Sequence, residues 1–366
     1  MPRALPASPL RWRIPVDSSS NGPQASQSIP WPPHPQADAS DSTLVGIDIG
    51  GTKIAAAAIT PGGRILGRAQ VATADCASYE AFVQALIALV GRVLDAAGRE
   101  SRTLAGIGLG CPGPLDPEHG TVHDPYTLPL PDGADIVTPL RRRYGVPVVL
   151  EVDTFAAALG EHWLGAGAGH ELVACVMIGT GIGCGLVRNG KVARGARGAY
   201  PEIGHHVIDP AGPPCYCGAR GCWEALASGT AIGRAGQEAA ASGRSSRLRE
   251  LAGGRADAVT SEMVFRASRE GDGAAQQIVA RAAEATAIGV HNIVHFLAPD
   301  AIVLGGGVMQ HYDLFAPAIE QVLARITMVP RQGISVARAQ LGPDAGLVGA
   351  ARCAALALQE GRTGHS

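Results

Sequence analysis

Two stretches of this chain follow one plan. In residues 43–60, "TLVGIDIGGTKIAAAAIT", two apolar runs flank a Gly-Gly turn, which is a hairpin signal. In the second half, "ELVACVMIGTGIGCGLVRNGKVA" again sets two apolar runs around a glycine-rich turn. Each hairpin is followed by alternating helix and strand patterns. After the first come a third strand, "GRILGRAQVAT", and a helix over "YEAFVQALIALVGRVLDAAG", apolar at Phe82, Leu86, Leu89, Val90, Val93 and Leu94. A strand over 104–110 runs into a Pro- and Gly-rich loop, and "VPVVLEVD" (146–153) is a further strand that leads into the helix "TFAAALGEHWLG". After the second come a long helix, "AAQQIVARAAEATAIGVHNIVHFLAP", the strand "AIVLGGG" (301–307) and a closing helix, "GLVGAARCAALAL". A pattern repeated in this way predicts two related α/β domains with a cleft between them.

Composition narrows what those domains meet. The formal net charge is −2 over 366 residues, which argues against nucleic acid or an anionic membrane as partner. Five of the eight cysteines are scattered singly in apolar or Gly-rich segments, as small buried thiols are. With no export signal, a reducing cytoplasm is the expected compartment. Residues 1–42 are rich in Pro, Ser and Gln and read as a disordered leader.

Three glycine-rich loops stand at strand ends. "DIGGTK" offers Asp48, Gly50, Gly51, Thr52 and Lys53: its glycines let backbone amides approach phosphate oxygens, and Asp48 can hold Mg²⁺ directly or through water. "GTGIG" offers Gly179, Thr180, Gly181 and Gly183. "GGG" is Gly305, Gly306 and Gly307, suited to a flat base or a ribose. None of the three is a Walker A sequence or a dinucleotide fingerprint in its proper context.

These loops, with "GLGCPGPLDPEHGTV", "EVDTFAAALGE" and above all "PEIGHHVIDPAGPPCYCGARGCWEALASG", resemble the ROK family (repressors, open reading frames, sugar kinases) of the actin and hexokinase ATPase superfamily, over residues 43 to 358. The resemblance implies two actin-like ATPase (ribonuclease H-like) domains with an interdomain cleft. One would span 43–153, completed by the closing helix at 346–358; the other would span 154–345 and carry the cysteine segment. It also implies ATP and Mg²⁺ in the cleft, phosphorylation of a sugar on a primary hydroxyl, and a homodimer or homotetramer. Asp153 matches the family's catalytic base, which accepts the proton of the attacking hydroxyl. Glu202, His205 and Glu224 match residues that touch sugar hydroxyls.

Cys215, Cys217 and Cys222 have the spacing C-x-C-x₄-C, with His205 ten residues before the first. Four such ligands suit a structural tetrahedral Zn²⁺. His206 is a rival ligand, and the family's spacing favours His205. The metal would hold the polar groups beside it rigidly over the sugar.

The chain departs from the family at the acceptor side. Val152 replaces the usual Asn before the aspartate and can neither donate nor accept a hydrogen bond. Tyr200 and Pro201 stand where the family has small residues. Retained phosphoryl transfer with a changed acceptor is the expectation: a hexose, an amino sugar or a C7 cyclitol. A sugar-responsive ROK regulator and a non-catalytic sugar-binding protein are the alternatives. Regulators carry a helix-turn-helix ahead of the core, which the Pro-rich leader cannot form.

Overall fold

The computed structural model describes residues 42–327 and 334–363. The expected leader, residues 1–42, lies outside them apart from Ser42.

The first half builds a sheet from β1 (Thr43–Ile49), β2 (Lys53–Ile59), β3 (Ile65–Ala72), β4 (Leu104–Cys111) and, later in the chain, β8 (Val148–Val152). Between β3 and β4 runs α1 (Tyr79–Ala96), started by the Ser78 hydroxyl, which accepts from the Ala81 amide at 3.2 Å. Its apolar stripe, the one the sequence shows, is fully buried at Phe82, Leu86, Leu89, Val90 and Val93. Each such side chain contributes about 1.5–3 kcal/mol when removed from water. Between β4 and β8 lie a small sheet of β5 (Leu115–Asp116), β6 (Thr121–Val122) and β7 (Ala134–Asp135), then α2 (Thr138–Tyr144).

After α3 (Asp153–Leu164) the plan begins again. β9 (Leu172–Ile178), β10 (Ile182–Arg188) and β11 (Lys191–Val192) are antiparallel neighbours. The cysteine segment follows, then α4 (Trp223–Ala227), α5 (Gly229–Ala241), α6 (Ser246–Leu251), α7 (Ser261–Arg269) and α8 (Gly273–Leu297). β12 (Ala301–Gly305), α9 (Tyr312–Leu323) and β13 (Ser335–Arg338) complete the second sheet, and α10 (Ala345–Thr363) ends the described chain.

The two sheets share one strand order. The first reads β3-β2-β1-β4-β8 and the second β11-β10-β9-β12-β13. In both, the first three strands meander antiparallel, and the last two join in parallel. This is the duplicated arrangement of the actin-like ATPase fold that the resemblance implies, and the duplication itself is the one the repeated hairpins predict.

The helices α3 and α10 pack on each other and join the halves. α10 lies on β1 and β4 at glycine: a Cβ on Gly108 would stand 1.7 Å from the Ala350 carbonyl oxygen. At the crossing, a Cβ on Gly349 would meet the Ala156 carbonyl at 1.5 Å. Backbones this close exclude any side chain. No described helix is long and apolar enough to cross a membrane.

Candidate active site

Parallel strands end together, and their C-terminal ends carry the acidic groups. Asp48 of β1 is level with Gly110 of β4, and Gly110 is level with Glu151 of β8. Asp153 begins α3 two residues later, and a Cβ on Gly110 would stand 3.6 Å from its Cα. One Asp153 carboxylate oxygen accepts from the Thr154 amide at 2.6 Å. Burial pushes the Asp153 carboxyl above the usual range. Burial also raises Asp48, to about 6; the charge of Asp153 adds to this and Lys53 opposes it. Two carboxylates that repel across a partly dry gap form a site short of positive charge.

Asp153 is linked to the cysteine segment through β10. A Cβ on Gly183 would meet the Thr154 methyl at 2.8 Å, and a Cβ on Gly181 would meet a Glu224 carboxylate oxygen at 2.5 Å. Between them, the Ile182 amide donates to Glu224 Oε2 at 2.7 Å. The loop glycines therefore have different reasons to be glycine. Gly181 and Gly183 make room for side chains of the site, and Gly305 makes room for Met177, whose sulfur would lie 2.6 Å from a Cβ there. Gly179 and Gly307 face open space. Gly306 has φ of +89°, a left-handed conformation natural to glycine.

Gly179, Thr180 and Gly307 line one cavity of about 630 Å³, together with Thr230, Thr260 and Ser261. The Thr230 hydroxyl fixes that wall by donating to the Thr180 carbonyl at 2.7 Å. The Gly50–Lys53 turn lies on the Asp48 side instead. It is pinned by Thr73, whose hydroxyl donates to the Gly50 carbonyl at 2.6 Å and whose amide donates to that of Thr52 at 3.0 Å.

The cysteine segment closes on itself. One ligand atom from each of His205, Cys215, Cys217 and Cys222 lies within 4.8 Å of the others. His205 Nδ1 is 3.4 Å from Cys215 Sγ, and Cys217 Sγ is 3.6 Å from Cys222 Sγ. Bonds of about 2.3 Å in a tetrahedron would set neighbouring sulfurs about 3.8 Å apart. His206 is not in the group: its Nδ1 turns to the Ile203 carbonyl, and its ring packs edge-on against Trp223.

His205 faces two ways. Its Nε2 is 3.0 Å from the Tyr216 hydroxyl. That phenol is pushed up to about 12, first by desolvation and then by the negative charge of Glu224. Glu202 adds to the same upward shift. Sequence reasoning missed Tyr216; an aromatic residue enclosed by two ligand cysteines was the available signal.

A second connection runs behind Asp153. Glu151, buried, forms an ion pair with Arg194, and Arg194 lies 5.9 Å from the centre of the Tyr200 ring. Tyr200 also packs on Phe155 of α3, ring centres 5.0 Å apart. The segment leading to Glu202 is therefore fastened to the strand and helix that flank Asp153.

A sequence model of the ROK family matches residues 44–359. The chain belongs to the ROK family. A glucokinase from Thermotoga maritima is 36% identical to this ROK protein over 84% of the present chain and 96% of its own. An N-acetylmannosamine kinase from Shigella flexneri is 35% identical over 84% and 97%. The solved structure of a ROK family glucokinase from Streptomyces griseus, in complex with glucose and AMPPNP, is 34% identical with a TM-score of 0.71, covering 86% of this chain and all of that one.

Proposed function

We propose that this ROK protein transfers the terminal phosphoryl group of ATP to a primary hydroxyl of a hexose or a hexose-like cyclic polyol. The observation that supports the reading is the run of contacts from Asp153 through Thr154, Gly183 and Ile182 to Glu224, which joins the carboxylate read as the base to a residue read as holding the acceptor. Relatives whose names specify glucose and N-acetylmannosamine support it.

In this reading Asp153 takes the proton of the attacking hydroxyl. Burial raises its pKa, which makes it a stronger acceptor of a proton than an exposed carboxylate. Glu202, His205 and Glu224 hold the acceptor, and the cavity at Gly179, Thr180 and Gly307 holds the nucleotide. Asp48 and its neighbours would hold Mg²⁺; the metal offsets charge on the transferred group. Zn²⁺ on His205, Cys215, Cys217 and Cys222 would fix the loop that presents Tyr216 and Glu224. The two domains would be 43–153 with 346–358, and 154–345, a division that the position of α10 on β1 and β4 supports.

The acceptor has moved from plain glucose toward an amino sugar or a C7 cyclitol. Val152 leaves no polar partner one residue from the base, and a hydroxyl placed there unpaired would lose about 1–3 kcal/mol. Tyr200 adds bulk close to Glu202. A screen of glucose, mannose, N-acetyl sugars, amino sugars and C7 cyclitols with ATP tests this. At least one acceptor should be phosphorylated, and Asp153→Asn should lower kcat on it by about 10²–10⁴ with the fold kept. Turnover near the wild-type rate in that variant would remove Asp153 as the base. A chain that phosphorylates none of the panel but shifts a DNA fragment would be a regulator instead.

A further inference from the structure

The cavity at Gly179 and Gly307 adjoins a second one, of about 600 Å³, against Cys215, Tyr216 and Glu224. Three residues line both: Thr180, Thr230 and Arg234. They form the boundary between the cavity read as the nucleotide side and the one that reaches Glu224. Thr230 spends its hydroxyl proton on the Thr180 carbonyl. Arg234 spends nothing: among the described residues its guanidinium makes no hydrogen bond and no ion pair.

Charge singles it out further. The other charged residue lining the first cavity is Glu262, which pairs with His311 at 3.1 Å. The other lining the second is Glu224, which accepts from Ile182. Arg234 is thus the cation of both walls, and it stands in the second turn of α5. Long side chains on a helix lean back toward its N-terminus, which carries this one over Thr230.

We infer that Arg234 binds the phosphate chain of the donor as it passes from the nucleotide cavity to the acceptor. The inference rests on the kinase reading above. A phosphate chain that extends from the first cavity toward Glu224 runs past Arg234 at this boundary, and a planar guanidinium matches phosphate oxygens two at a time. The ligand class is a chain of two or more phosphoryl groups, whether on a nucleoside or as inorganic polyphosphate.

Calorimetric titration of the full chain with adenosine, ADP, ATP and inorganic tripolyphosphate tests it, comparing wild type, Arg234→Ala and Arg234→Lys. The alanine variant should bind ADP and ATP about tenfold more weakly and adenosine equally well, and lysine should recover part of the loss. Weakened tripolyphosphate binding in the same variant would assign inorganic chains to the same group; unchanged binding would restrict the role to nucleotides. Equal ATP affinity in wild type and Arg234→Ala overturns the inference, and so does an equal loss for adenosine, which would make Arg234 a contact to the base. A wild type that binds neither adenosine nor ATP would overturn the kinase reading as well, so the two failures are distinguishable.

Discussion

Asp48 shows how a buried carboxylate can weaken the fold that holds it. Its carboxyl is raised to about 6, against an unfolded value near 3.8, by burial and by Asp153. A raised acid makes the native state hold a proton that the unfolded chain has released. Its contribution is therefore fully present below about pH 4 and is lost as pH climbs through about 6. The shift corresponds to about 3 kcal/mol at most. Asp48→Asn keeps the shape and removes the charge. It should melt several degrees above wild type at pH 7.5, with the gap closing toward pH 4, and phosphoryl transfer should fall by about 10² or more. Calorimetry across that pH range checks the sign; a lower melting temperature at pH 7.5 would contradict it. Asp48 is visible in sequence because its type and place at a strand end are local facts. Tyr216 and Arg234 are not, because each matters only through what a distant loop or helix brings beside it.

At the scale of elements, legibility depended on regular apolar spacing. The strands of both hairpins, α1, α3, α8 and α10 stand where their patterns place them. The helices between Trp223 and Arg269 and the one at Tyr312–Leu323 are absent from the sequence reading although α7, burying Val264, Phe265 and Ala267, is strongly one-sided; they are short and follow one another through brief turns. α5 carries Gly233 and Gly236 on its buried face, and a Cβ on Gly236 would meet Val264 at 2.5 Å, so small residues stand where large apolar ones mark other helices. α9 contains Pro317. Three of them also carry a side-chain cap, as where the Ser228 hydroxyl accepts from Ala231 at 3.1 Å. The cysteine segment is the opposite case, with almost no regular structure and a clear sequence signature. Its order should come from the metal. The protein as purified should contain close to one zinc per chain. Cys217→Ser should lose much of that zinc and raise KM for the acceptor, leaving KM for ATP nearly unchanged. A metal-free protein with wild-type kinetics would refute this.

For the whole molecule, the duplicated sheets were legible and the ties between them were not. Glu151 lies on the first sheet, and Arg194 on the segment after β11 of the second. Burial outweighs Arg194 and still leaves the Glu151 carboxyl above its ordinary range. Such a pair contributes little net stability, yet it is costly to break from one side. Its value is positional: Glu151 also accepts from the Val152 amide at 2.9 Å, one residue before Asp153, while Arg194 steadies Tyr200 two residues before Glu202. The pair therefore ties the strand before Asp153 to the segment before Glu202. Arg194→Met alone should cost about 3 kcal/mol, because Glu151 is left buried without its partner, and should raise KM for the acceptor. Adding Glu151→Leu should restore most of the stability and none of the KM. Denaturant melts and initial rates on the two single variants and the double variant form a complete cycle. If KM recovers with stability, the tie is structural only, and the alignment of Asp153 with Glu202 depends on the α3–α10 crossing instead.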